Sequence, residues 1–177
     1  MLFRSGGGDR RAVSERVWAI LRRYGQLTWW LERTRHPERG GRALAEADLV
    51  LNEGQDVDAL TRLFDGGLYR AAPLAEAEAR ALRQMEGHSL AHPEQPDWVR
   101  LNVREWIVPH LQEAYGADWQ REIAALETPA PVDLRVNRLK ATVEEARAAL
   151  DREGVETEPA KLAPDGLRLR KRLSVVA

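Results

Sequence analysis

Along residues 9–128 apolar side chains recur every three or four positions, the spacing of one face of a helix. Beyond residue 130 they alternate instead. Val13, Val17, Ile20, Leu21 and Tyr24 form the first helical stripe, bordered by Trp18, with Asp9 as a candidate N-cap and Gly25 as a break. Arg10, Arg11, Arg16, Arg22 and Arg23 occupy much of the remaining surface of that helix. Leu27, Trp29, Trp30 and Leu31 make a short apolar patch, and residues 36–41 read as a loop. Helix signals resume at Arg42 and end at the Asn52–Gly54 break. Asp56 caps a short helix carrying Val57, Leu60, Leu63 and Phe64, which ends at Asp65-Gly66-Gly67. Pro73 and Leu74 introduce another, with Ala77, Ala81, Leu82 and Met85, closed by Gly87.

After a loop from His88 to Pro96, the helical spacing returns through Trp98, Val99, Leu101, Val103, Trp106, Ile107, Leu111, Ala114 and Tyr115. Pro109 inside that run predicts a kink or a first turn, because its ring removes a donor and blocks the preceding turn. Gly116 stops the run. Asp118 caps a last helix with Trp119, Ile123 and Leu126.

The period then changes. Pro129 and Pro131 stiffen an extended link. Val132, Leu134, Val136 and Leu139 alternate with Asp133, Arg135 and Asn137, as in a strand with one buried and one wet face that ends in Arg138 and Lys140. Thr142 and Glu145 form a capping box for a helix that carries Val143, Ala146, Ala149 and Leu150 on one side. Gly154 stops it, and Val155 opens a return strand.

The chain has 177 residues, enough for one medium domain or for one small domain and part of another. It has no cysteine, which removes disulfides and thiolate metal sites, and no apolar run approaches a membrane span. The N-terminus is too short and polar for a secretory signal, so cytoplasm is the expected location. The net charge is −1, but its sign is segregated. Residues 1–42 carry net +6, residues 43–134 net −10 and residues 135–177 net +3. Of the 27 basic residues 24 are arginine, the side chain best matched to bidentate phosphate contact, although a GC-rich genome accounts for the bulk count.

The segment PVDLRVNRLKATVEEARAALDREGVETEP…LAPDGLRL resembles the linker region of the Sun/Fmu-type (RsmB/NOP-like) RNA cytosine-5 methyltransferases, close to bacterial members that act on small-subunit ribosomal RNA. Its most specific part is the LRVN-x-LK core, Leu134 to Lys140. Upstream, DRRAVSERVWAILRR…WWL resembles a helix of the NusB-like RNA-binding domain that precedes this linker in the family, and LFDGGLYRAAPL and PDWVRLNVREWIVPHLQEAYG are similar to further joints. The resemblance covers about residues 9–35, 60–75 and 96–169. Family members have another helix or two ahead of the first one here, and they continue past residue 169 into a methyltransferase domain. The tail 168–177 departs from that pattern.

The resemblance implies S-adenosylmethionine as cofactor, ribosomal RNA as substrate and cysteine nucleophiles in the C-terminal domain. This chain has neither a cysteine nor a strand-to-helix glycine turn; Gly6-Gly7-Gly8 precedes a helix but follows no strand. The expectation is a polypeptide that holds no cofactor and is inactive alone.

His88 and His92 stand four apart, yet lie in a loop-like stretch without a third ligand, and His36 and His110 are isolated; all four are expected to be exposed and not to bind metal. Most carboxylates are placed on caps and solvated faces. Five of the six tryptophans are expected to pack in the core, with one of Trp29 and Trp30 left for contact.

The candidate RNA-binding residues are Arg10, Arg11, Arg22 and Arg23 on the first helix, and Arg135, Asn137, Arg138 and Lys140 on and after the strand. Asn137 has a second reading as a structural hydrogen-bonding residue, and the helical arginines as a solvated face.

The expected fold is mainly α: a NusB-like helical bundle over residues 1–128, its first helices missing, followed by a partial α/β (βαβ) unit over 129–177. The expected function is the RNA-binding N-terminal portion of an S-adenosylmethionine-dependent 16S rRNA cytosine-5 methyltransferase. Its partners would be ribosomal RNA and the methyltransferase domain of the parent protein, with no membrane. The leading rival is a stand-alone NusB-like adaptor that works through protein contacts in transcription antitermination, and a third is a truncated gene product.

Overall fold

The computed structural model describes residues 7–128 and 130–171. The glycine-rich start through Gly6, Pro129 and the tail from Arg172 onward lie outside the described residues. The chain divides into two compact units, Met1–Glu127 and Thr128–Ala177.

In the first unit the described elements are all helical. α1 (Gly7–Arg22), α2 (Tyr24–Arg33) and α3 (Gly41–Leu51) are followed by α4 (Val57–Leu63), α5 (Glu76–Arg83) and the short α6 (Asp97–Arg100), then α7 (Val108–Tyr115) and α8 (Trp119–Leu126). α2 packs on α3 and α6, α3 and α4 pack on α5, and α7 packs on α8. The core joins Leu27, Trp30 and Leu31 of α2 to Ala43, Leu44, Ala47, Val50 and Leu51 of α3, with Val57, Leu60, Leu82 and Met85 closing it. Each fully buried leucine contributes about 1.5–3 kcal/mol of transfer free energy.

Local signals are realised as local bonds. Asp56 accepts from the Ala59 N–H at 2.6 Å as the N-cap of α4. Gly54, Gly87 and Gly116 all have positive φ where helices or turns end. Pro109 stands in the first turn of α7, where a missing N–H costs nothing. The single helical run read from Trp98 to Tyr115 is instead broken after α6, where Asn102 takes φ +50° and a 3₁₀ turn, Glu105–Ile107, leads into α7. Asp9 lies inside the first turn of α1 and not at its cap, and Asp118 caps α8 without a side-chain hydrogen bond.

Three expectations are corrected in this unit. The stripe on α1 does not enter the core: Val13, Val17, Leu21 and Trp18 are exposed, and only Ile20 packs against the core cluster. His36 is buried, its Nε2 3.4 Å from Glu46 and its Nδ1 accepting from the Glu38 N–H at 3.2 Å. Glu46 and Asp48 are fully buried carboxylates and not solvated ones. Asp48 receives Arg16 at 3.3 Å and Arg23 at 3.0 Å, which ties α1 and the α1–α2 joint to α3, while Arg42 Nε lies 2.8 Å from Glu46. Burying such charges is tolerated only because each has an opposite partner.

The tryptophans divide. Trp30 and Trp119 are buried, Trp29 and Trp98 are half-buried, and Trp18 and Trp106 are mostly exposed. Trp30 donates from Nε1 to the Leu90 carbonyl at 3.0 Å and has His88 and His92 packed on it, which gives both histidines a packing role.

The second unit holds β1 (Asp133–Arg135), α9 (Val143–Arg152), β2 (Thr157–Pro159) and β3 (Gly166–Leu169). The sheet order is β1-β3-β2, and both pairs are antiparallel. β1 and β2 therefore run in the same direction with β3 inserted between them: a split βαβ and not a simple one. Val136 and Leu169 extend the pairing through bonds to Asp165 and Val132. Leu134, Val136, Leu167 and Leu169 turn inward, and α9 packs on β2 and β3. The strand is shorter than its apolar alternation suggests. Leu139 sits in the turn beyond it and is 97% exposed.

The capping box is complete: Thr142 Oγ1 accepts from the Glu145 N–H at 3.1 Å, and Glu145 accepts from the Thr142 N–H at 2.8 Å. At the other end the Gly154 and Val155 N–H groups return to Asp151 and Leu150, a Schellman motif with Gly154 at φ +76°.

Candidate nucleic-acid interface

On α1, residues 11 and 22 return to the same side of the helix within about 20°, roughly 16 Å apart along its axis. Trp18 falls between them by the same count, and all three side chains are exposed. Arg11 has no ion-pair partner among the described residues. Arg22 faces Glu127, whose carboxyl is raised above its ordinary value by desolvation and pulled back by this arginine. Arg10 projects about 100° away from Arg11, is exposed and already has a partner. Arg23 is not on this face at all, because its guanidinium is committed to buried Asp48. The helix thus offers Arg11, Trp18 and Arg22 as one stripe. Trp18 reads as a packing residue because it borders an apolar stripe, but the helix leaves that stripe in solvent and the indole with it.

In the second unit, the Asn137 side chain accepts from the Leu139 N–H at 3.1 Å, and its carbonyl accepts from Lys140 and Ala141. Asn137 builds the turn. Arg138 is paired with Asp165 at 3.1 Å. Arg135, on the wet face of β1, and Lys140, at the end of the turn, are exposed cations without an ion-pair partner among the described residues.

A cleft of about 590 Å³ opens beside β1, with Leu134, Leu162 and Pro164 in its lining and Arg135 and Lys161 among its cations. Its two acidic groups are already engaged. Asp133 is held by Arg168 through two hydrogen bonds, and Asp165 by Arg138. The Arg168 hydrogen bonds hold the Asp133 carboxyl below the usual aspartate range, and that carboxylate in turn raises the guanidinium. Arg135 and Lys161 are left as uncompensated positive charge around an apolar floor. Lys161 carried no periodic or motif signal of its own and is brought to the cleft by the antiparallel return of β3. Of the basic run at 168–172, Arg168 is paired with Asp133 and Arg170 lies 4.0 Å from Glu156, while Arg172 lies outside the described residues.

Among the described residues the passage from strand to helix runs from β1 through the Asn137 turn into α9 and contains no glycine, so it does not make the glycine-rich turn that cradles a nucleotide-type cofactor. Among the described residues no cluster of three or more histidines or carboxylates is arranged to hold a metal ion, and no helix is long and apolar enough to cross a membrane.

Comparison with known proteins bears on the same segment. A family model described as the ferredoxin-like domain of RsmF/B-like methyltransferases matches residues 103–176. The proteins named ribosomal RNA small subunit methyltransferase B from Photorhabdus laumondii and Vibrio cholerae are 35% identical over 65 residues and 38% identical over 64. These matches cover 37% and 36% of this chain and 15% of each relative. The protein of the same name from Escherichia coli O139:H28 is 25% identical over 173 residues, 91% of this chain and 40% of that relative. The chain therefore spans less than half the length of the relatives it matches. The split βαβ of the second unit is the arrangement of a ferredoxin-like half, and over this segment the chain is similar to the ferredoxin-like domain of RsmF/B-like methyltransferases, as the chain is to proteins named ribosomal RNA small subunit methyltransferase B.

Proposed function

We propose that this chain is the RNA-handling N-terminal portion of an S-adenosylmethionine-dependent methyltransferase acting on cytosine carbon-5 of small-subunit ribosomal RNA. In this reading residues 1–128 are a NusB-like helical RNA-binding domain and residues 129–177 a linker unit that leads to the methyltransferase domain of the parent protein. The chemistry belongs outside this chain, which has no cysteine to supply a thiolate.

The observation that carries the RNA assignment is the charge balance of the cleft beside β1. Every carboxylate in it is neutralised by an arginine, and Arg135 and Lys161 remain. An apolar floor with two free cations suits a sugar–phosphate segment whose base rests on Leu134 and Leu162. The Arg11–Trp18–Arg22 stripe supports the same reading, because phosphate attraction and ring stacking together hold single strands without base readout. Cytoplasm, where ribosomal RNA is modified, is the matching location.

The test is binding of 16S ribosomal RNA fragments over a range of salt. Affinity should fall linearly on a logarithmic plot. A flat salt dependence would exclude a phosphate-tracking role.

A further inference from the structure

A second groove lies within the first unit and is unlike the cleft in both lining and charge. It measures about 740 Å³ and runs between α2 and residues 98–106. Its floor is rigid. The Gly25 N–H donates to Asn102 Oδ1 at 2.7 Å, and Asn102 Nδ2 donates to the Leu21 carbonyl at 3.2 Å. A Cβ on Gly25 would stand 3.1 Å from Asn102 Oδ1 and 3.3 Å from the Val99 carbonyl, so the two segments close on each other only because residue 25 has no side chain. Tyr24, Trp29, Trp98 and Trp106 contribute four rings to the lining. Glu32 and Glu105 also line it, both exposed and neither in an ion pair among the described residues.

Two of these rings already carry a guanidinium. Arg104 lies 5.7 Å over Tyr24, and Arg33 lies 5.0 Å over Trp29. Arg104 is also the one basic residue in the lining. The groove therefore presents indole faces and two free carboxylates, and the segment that supplies its second wall belongs to the stretch of net charge −10.

We propose that this groove binds an arginine- or lysine-bearing segment of a basic polypeptide. The side chain lies on the exposed indole faces, chiefly Trp106, and Glu32 and Glu105 take its charge. A ring quadrupole and a carboxylate attract the same cation, and the fixed floor lowers the ordering cost of binding. RNA suits this groove poorly. Each nucleotide brings a negative charge toward two uncompensated carboxylates, and the only arginine there is held on Tyr24. An uncharged apolar peptide would leave both carboxylates desolvated without partners.

The experiment uses the full chain, a short arginine–glycine peptide, an acidic peptide of equal length and a single-stranded RNA oligonucleotide. Calorimetry gives the affinities, and the indole N–H resonances of Trp98 and Trp106, identified with Trp98→Phe and Trp106→Phe, give the location. The basic peptide should shift those two resonances and the acidic peptide should not. Glu32→Gln with Glu105→Gln should weaken the basic peptide by about fivefold or more, while the far-UV spectrum stays unchanged. Trp106→Ala, a change at a ring 69% exposed, is the independent second variant and should weaken binding similarly. The proposal is overturned if RNA shifts these resonances while the basic peptide leaves them in place. It is equally overturned if the basic peptide binds both variants as tightly as the unaltered chain.

Discussion

Arg168 reaches across the sheet to Asp133, its register partner, and grips both carboxylate oxygens at 2.7 and 2.8 Å. The pair staples the central strand of the second unit to β1 and removes one acidic charge from the cleft. Its pH dependence has a definite sign. The folded Asp133 carboxyl titrates below the ordinary aspartate value of 3.8, so the pair's contribution is fully present above that value and is lost as pH falls through the lower, folded value. Thermal unfolding followed between pH 7 and pH 2 should show the second unit weakening below about pH 4. Asp133→Asn should remove that part of the acid dependence while leaving the rest.

The ion-pairing pattern ranks the cations of the second unit. Arg135→Gln and Lys161→Gln should each lower the salt slope of RNA binding by about 0.7–0.9, the value of one released counterion. Lys140→Gln should act likewise if the RNA path continues along the turn. Arg138→Gln should have a smaller effect, since Asp165 already holds that guanidinium. Filter binding across a salt series measures all four, and equal slopes for every variant would contradict the ranking.

Asp48 lies under two arginines and is 1% exposed. Asp48→Asn keeps its shape but leaves Arg16 and Arg23 without their buried counter-charge. Both arginines reach solvent, so the loss should be about 1–3 kcal/mol and not the larger cost of a wholly buried orphan. Urea unfolding monitored by tryptophan fluorescence would detect it, and the same substitution should loosen α1 before the core helices, seen as faster amide exchange over that helix.

Gly166 has no room for a side chain. A Cβ there would stand 2.7 Å from the Ala160 Cβ and 3.1 Å from the Ala163 carbonyl. Gly166→Ala should therefore destabilise the second unit by about 1–3 kcal/mol. Gly8→Ala, in open space on α1, should be neutral or slightly stabilising, because alanine is the better helix former. Thermal melts of the two variants make the comparison.

Short-range devices were legible from the residues alone. The Thr142–Glu145 box, the Gly154 stop, the Asp56 cap and the inward face Val143, Ala146, Ala149 and Leu150 all depend on bonds or spacings within a single helix. The change from a three-to-four period to alternation at residue 130 marked the passage from helices to strand in the same way. LRVN-x-LK, a motif and not a period, pointed to the family.

What only the tertiary structure decided has one physical cause: partners far apart in the chain. Arg23 reads as a free surface charge until Asp48, 25 residues on, takes it into an ion pair. His36 reads as a loop residue until Glu46 is folded against it. Leu139 comes three positions after Val136, out of step with the alternation at 132, 134 and 136, and it is left in the turn because β1 pairs only as far as β3 extends. Val13, Val17 and Leu21 make a helical stripe, but a stripe reports a preference for burial and not the presence of a surface to bury it. The residues thus determined where elements begin, end and change period, through contacts a few positions apart. The order β1-β3-β2, the buried acids and the division of the cations into paired and unpaired were decided by packing, since side chains dozens of residues apart meet only in the folded chain.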